Sequence, residues 1–169
     1  IIQMIQRFYD PKEGEIRIDG VPLPKMDRDA FRKYISLVPQ DPVIFAASAR
    51  ENIRFGRLDA SDEECIRAAE MADADHFIRL LPHGYATKLS ERASNLSQGQ
   101  RQLLAIARAI LADPRILILD EATSSIDTRT EVLIQHAMAA LRSNRTSFVI
   151  AHRLSTIRDA DIILVMENG

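Results

Sequence analysis

Apolar positions change their period several times along the chain. At the start Ile1, Ile2, Met4, Ile5 and Phe8 recur at helical spacing, and Pro11 and Gly14 end the pattern. Residues 15–19 then alternate as a strand with one exposed face does, and Gly20 opens a turn. Asp27 is placed to cap a short helix over 28–34, and residues 35–38 read as a strand ended by Pro39. From about 45 the character shifts to short helices. Ser48 to Glu51 opens one, Ser61 to Glu64 caps another that continues through Ile66 and Ala69, and Phe77, Ile78, Leu80 and Leu81 give a third apolar face before Pro82 and Gly84.

After residue 95 the elements lengthen. Ser97 stands before the helical pattern Leu103, Leu104, Ile106, Ala107, Ile110 and Leu111. Ile116 to Leu119 is an unbroken apolar run, as in a strand covered on both faces. Asp127 caps a helix that reads through 141, with Val132, Leu133, Ala137 and Leu141 on its apolar side, and residues 146–151 form another buried-strand pattern. Residues 161–166 read as a further strand. Strands alternating with helices predict an α/β fold with a mainly parallel sheet.

Three of these strands run into polar residues: Gln40, the pair Asp120 and Glu121, and His152. Ligands of open α/β sheets bind beyond the carboxyl ends of the strands. Neighbouring strand side chains point to opposite sides, so one of the two acids can hold Mg²⁺, directly or through water, while the other orients an attacking water. A second stretch, Asn95-Leu-Ser-Gln-Gly-Gln-Arg-Gln102, carries Ser97 and Gln100 at capping-box spacing. The first N–H groups of the helix it opens favour an anion such as phosphate, and Gly99 lets a ligand approach the backbone.

The chain has 169 residues, enough for one domain with its own core, and a net charge of -2 with both signs mixed, which gives no strong pull toward nucleic acid or an anionic membrane. The single cysteine, Cys65, lies within a helical pattern and reads as structural; it suggests a reducing compartment. No apolar run approaches the roughly 20 residues of a membrane helix, and no signal peptide is visible. His76, His83 and His136 stand at no strand end and read as surface or loop residues.

Asn95–Gln102 and the stretch from Ile116 to Asp127, in this order and this close, resemble the signature motif, Walker B strand and D-loop of an ATP-binding cassette (ABC) ATPase. Arg7-Phe-Tyr-Asp-Pro11, Leu37-Val-Pro-Gln40 and Ala151-His-Arg-Leu-Ser-Thr156 look most similar to exporter-type cassettes, and the resemblance covers essentially the whole chain. It implies a P-loop NTPase (RecA-like) core over 1–44 and 95–169 and an inserted helical subdomain over 45–94. It implies ATP and Mg²⁺ as cofactors, Glu121 as general base, Asp120 as the Mg²⁺ partner, and Gln40 and His152 as contacts to the metal, the water and the γ-phosphate. Ser97, Gln98, Gly99 and Gln100 would bind the ATP of a second nucleotide-binding domain, with Asp127 in the D-loop. Glu91 and Arg92 would face the intracellular loops of membrane domains, placing the chain at the cytoplasmic face of the cell membrane.

The commonest signature has two consecutive glycines, and Gln98 occupies the first of those positions. No G-x-x-x-x-G-K-[ST] occurs, the first residue is not Met, and the family continues with more strands and a helix beyond Gly169. The expectation is a segment truncated at both ends, lacking the phosphate loop and the adenine-stacking aromatic and inactive by itself. A nucleic-acid-linked cassette would insert heptads or cysteine clusters, which do not occur here. A non-catalytic scaffold is the remaining alternative.

Overall fold

Leu117, Ile118 and Leu119 are at most 2% exposed, because their strand lies between two others. The computed structural model describes residues 1–90, 95–120, 126–150 and 160–166. The strands are β1 (Arg17–Ile18), β2 (Val21–Pro22), β3 (Ile35–Val38), β4 (Ile116–Asp120) and β5 (Thr146–Ile150). The helices are α1 (Ile2–Ile5), α2 (Arg28–Arg32), α3 (Ala49–Arg54), α4 (Asp62–Met71), α5 (Asp75–Arg79), α6 (Gln98–Ala112) and α7 (Thr128–Arg142). β3, β4 and β5 form a parallel sheet in that order, with Val38 opposite Leu119 and Asp120 opposite Ile150. All three carboxyl ends therefore open on one edge.

β4 packs both of its faces. Leu117 and Leu119 join the large core with α6 and α7, while Ile116 meets Leu23 and Phe31 on the other side. The large core runs on without interruption into Ala49, Ile53, Cys65, Ala69 and Ile78 of α3, α4 and α5. Cys65 is fully buried there, which agrees with its structural reading. At Gly56, just past α3, a Cβ would lie 2.1 Å from the carbonyl oxygen of Arg108, so α3 reaches the backbone of α6 only because this residue has no side chain.

The caps formed as read. Ser48, Ser61 and Ser97 each make a reciprocal capping box, with Glu51, Glu64 and Gln100. Asp27 and Asp127 accept from the N–H groups of Ala30 and Thr130. Three readings need correction. The first helix extends only over Ile2–Ile5: Arg7 turns at φ 55 and Phe8 is exposed, with the Arg32 guanidinium above its ring. So short a helix needs tertiary packing along its whole length. The strand read at 15–19 forms only over Arg17–Ile18, as one arm of a hairpin turned by Asp19 and Gly20, both at positive φ. Residues 161–166 form no strand. Ile162 to Met166 are exposed, and among the described residues no ladder partner lies beside them.

Candidate functional site

Gln40 and Asp120 stand at the shared carboxyl edge of the sheet. Gln40 lies two residues beyond β3 and Asp120 is the last residue of β4. Register fixes the neighbourhood, since Val38 and Leu119 are partners. The Gln40 side chain is exposed and Asp120 is half-buried. Neither side chain makes a hydrogen bond or ion pair with another described residue. A partly desolvated carboxylate at a strand end suits a hard cation or the water around it. Among the described residues no group of three metal-ligating side chains gathers. Mg²⁺ is commonly held by one or two carboxylates together with substrate phosphates, so a single Asp120 fits that ion. Glu121, His152, Glu91 and Arg92 lie outside the described residues.

The signature stretch arrives at the same edge. α6 runs into β4 at the amino end of the sheet, so its own N-terminus faces the carboxyl edge. The Gln102 amide confirms this by donating to the Pro39 carbonyl at 3.4 Å. Ser97 is exposed at the cap, with its Oγ accepting from the Gln100 N–H at 3.2 Å and its own N–H donating to Gln100 Oε1 at 2.9 Å. Gln98 is half-buried and Gly99 buried. Gly99 has a reason beyond ligand approach: a Cβ there would lie 2.3 Å from the Thr130 methyl and 3.3 Å from Ile126 Cγ2. The N-termini of α6 and α7 therefore meet side by side. Asp127 caps α7, and the Thr130 N–H, bonded at 3.0 Å, holds its carboxyl below the ordinary carboxylate range.

Three residues that pattern reading passed over organise the stretch after Gln40. Asn52 is fully buried. Its Oδ1 accepts from Phe45 N–H at 2.9 Å, and its Nδ2 donates to the carbonyls of Phe45, Ala47 and Ser48. Arg108 donates to the carbonyls of Val43 and Asn52 and stacks over Phe45 at 5.0 Å; burial pushes its guanidinium pKa down. Gln102 is buried and reaches Pro39. α6 thus grips the Pro39–Val43 loop at both ends, so Gln40 hangs from the helix that Ser97 opens. The available signal was polar residues inside apolar helical patterns. Beside this loop Phe45 stacks on Phe55 with ring centroids 4.0 Å apart, and Val43, Phe45 and Phe55 leave apolar surface exposed. His76 and His83 are exposed; His136 is exposed on α7, where its Nδ1 meets Asp73 at 2.7 Å. Among the described residues no helix is long and apolar enough to cross a membrane.

The family model described as ABC transporter matches residues 1–124. Over its full length the chain is 56% identical to an ABC transporter ATP-binding protein of Bacillus subtilis, YknV, and covers 28% of it. It is 50% identical, again over its full length, to a fatty acid ABC transporter ATP-binding/permease protein of Mycobacterium tuberculosis, and covers 27% of that protein. The solved structure of a bacterial Atm1-family ABC exporter with ATP bound superposes with a TM-score of 0.85 at 46% identity, over 95% of this chain and 28% of the exporter chain. The chain thus spans little more than a quarter of the length of these relatives.

Proposed function

Because the chain belongs to the ABC transporter family, we propose that it is part of the nucleotide-binding domain of an exporter, hydrolysing ATP to ADP and phosphate to drive transport. The observation that carries this reading is the common edge of three parallel strands, where Gln40 and Asp120 stand beside the capped start of α6. In this reading residues 1–44 and 95–169 belong to the nucleotide core and 45–94 to the helical subdomain. The division of labour follows the residue chemistry. Asp120 holds Mg²⁺, which when bound neutralises phosphate charge. Glu121 takes a proton from the attacking water, and Gln40 and His152 orient that water against the γ-phosphate. Ser97, Gln98, Gly99 and Gln100, with the positive end of α6, face the nucleotide of a second domain, and Asp127 stands beside them.

Partners follow from the same reading: a second nucleotide-binding domain and the membrane domains of the transporter, at the cytoplasmic face of the cell membrane. The exposed Val43, Phe45 and Phe55, close to the Gln40 loop, supply apolar surface for a membrane-domain loop. The 169 residues contain no Gly-rich phosphate loop motif, so by themselves they are expected to turn over no ATP.

The test is Glu121→Gln in the full-length protein. It preserves shape and removes the base, so hydrolysis should fall by about two orders of magnitude or more while ATP binding persists. Turnover near that of the unsubstituted protein would remove Glu121 from the base role.

A further inference from the structure

We infer that Thr130 is a positioning residue for the signature turn: its methyl group, seated against the bare Cα of Gly99, sets how the start of α6 is presented to nucleotide. The inference rests on the proposal that α6 faces ATP. The contact itself is independent of any ligand, because the space that a side chain at 99 would occupy is filled by this chain's own Thr130, 2.3 Å from the Cβ position. Contact at that range is far inside ordinary van der Waals separation, so an added methyl must displace one helix from the other.

Thr130 cannot readily give way. Its Cβ lies 3.3 Å from the same point, a separation that a shift of a few tenths of an ångström relieves, so the obstruction is the methyl itself. A β-branched residue on a helix has few rotamers to choose from. Its backbone N–H is held by the Asp127 carboxylate, and on the near side Ile126 Cγ2 closes the gap at 3.3 Å. Ser97, two residues before Gly99, is tied to Gln100 by both bonds of its capping box. A displacement at Gly99 therefore carries Ser97 and Gln100 with it, and the helix N-terminus no longer addresses the same point. Glycine at 99 serves the fit between two helices of one chain, and through that fit the presentation of the phosphate-facing turn.

The experiment compares the full-length protein with its Gly99→Ala, Thr130→Ser and doubly substituted forms, measuring ATP hydrolysis against ATP concentration and thermal unfolding. Thr130→Ser keeps the hydroxyl and removes only the methyl. Gly99→Ala is expected to raise the KM for ATP about tenfold or more, as overpacking of this size implies. Adding Thr130→Ser should recover most of that loss, and Thr130→Ser alone should shift KM less than Gly99→Ala does. A double variant as impaired as Gly99→Ala would overturn the inference, since clearance for the ligand would then be what position 99 requires. A Gly99→Ala protein that unfolds earlier but keeps its KM would overturn it too, leaving the contact purely structural. Absence of ATP hydrolysis in the unsubstituted protein would instead defeat the functional proposal, and the inference with it.

Discussion

Replacing Asn52 with Leu keeps the size of the side chain and removes its hydrogen bonds. Four bonds hold the segment from Phe45 to Ser48, and Arg108 adds a fifth contact to Oδ1 at 3.3 Å. They are not equivalent. The carbonyls of Phe45, Ala47 and Ser48 also accept from the backbone N–H groups of Ala47, Leu89 and Asn52. The Phe45 N–H has its bond at Asn52 alone among the described residues, so it is the group left stranded. A buried donor without a partner costs about 1–3 kcal/mol, and each lost bond to an already paired carbonyl costs less. Added apolar burial at Leu offsets part of this, which leaves a net loss of about 2–3 kcal/mol. The loss is local, at the loop beyond Gln40. Amide exchange of Phe45 in the full-length protein should accelerate about 30- to 150-fold, since each 1.4 kcal/mol is worth tenfold in an opening equilibrium. Hydrogen exchange read by mass spectrometry over peptides spanning 41–52 measures it. An unchanged rate there, with the rest of the domain intact, would refute the assignment of Asn52 as the pin of this loop.

Other outcomes follow from the helix caps. Ser97→Ala should cost about 1 kcal/mol of stability through the lost cap. In a Glu121→Gln background it should also weaken ATP-driven dimerisation, followed by light scattering; undiminished dimerisation would leave Ser97 as a cap alone. Asp127 has its folded pKa below the ordinary 3.8, chiefly through the Thr130 N–H bond. Its contribution is therefore present above the unfolded-chain value and is lost as pH falls through the lower folded value. The gap in thermal stability between the unsubstituted protein and Asp127→Ala should persist at neutral pH and shrink below about pH 4. A gap that is constant down to the acid limit of folding would show that the carboxylate charge is not what caps α7.

What could be read without coordinates was what local chemistry decides. Ser48, Ser61, Ser97 and Asp127 cap the helices they precede because a cap needs only neighbours within three residues. The apolar run at Ile116 announced a strand buried on both faces, and it is the middle strand of the parallel sheet. What escaped depends on distant partners. Asn52 and Arg108 are 56 residues apart and Gln102 reaches back 63 to Pro39, so no periodicity connects them. The requirement at Gly99 is set by Thr130, on a helix that begins on the far side of β4. The hairpin is a different kind of miss: Asp19-Gly20 is a strong two-residue turn signal, but the Val21–Pro22 arm is too short to show alternation.

The three serine capping boxes differ in one atom that matters for charge. At α3 and α4 the reciprocal partner is a carboxylate, Glu51 or Glu64, and hydrogen bonds from the capping serine turn keep each ionised to lower pH than usual. At α6 the partner is the neutral amide of Gln100. A carboxylate there would complement the helix dipole and be worth about 0.3–1 kcal/mol to the fold. It would also offset the positive potential at a helix end that opens on the carboxyl edge beside Gln40 and Asp120. The amide closes the same ring of hydrogen bonds and leaves that potential unspent. The gain in stability that a carboxylate gives α3 and α4 is thus absent at α6, whose end keeps the positive potential that the proposed nucleotide contact would use.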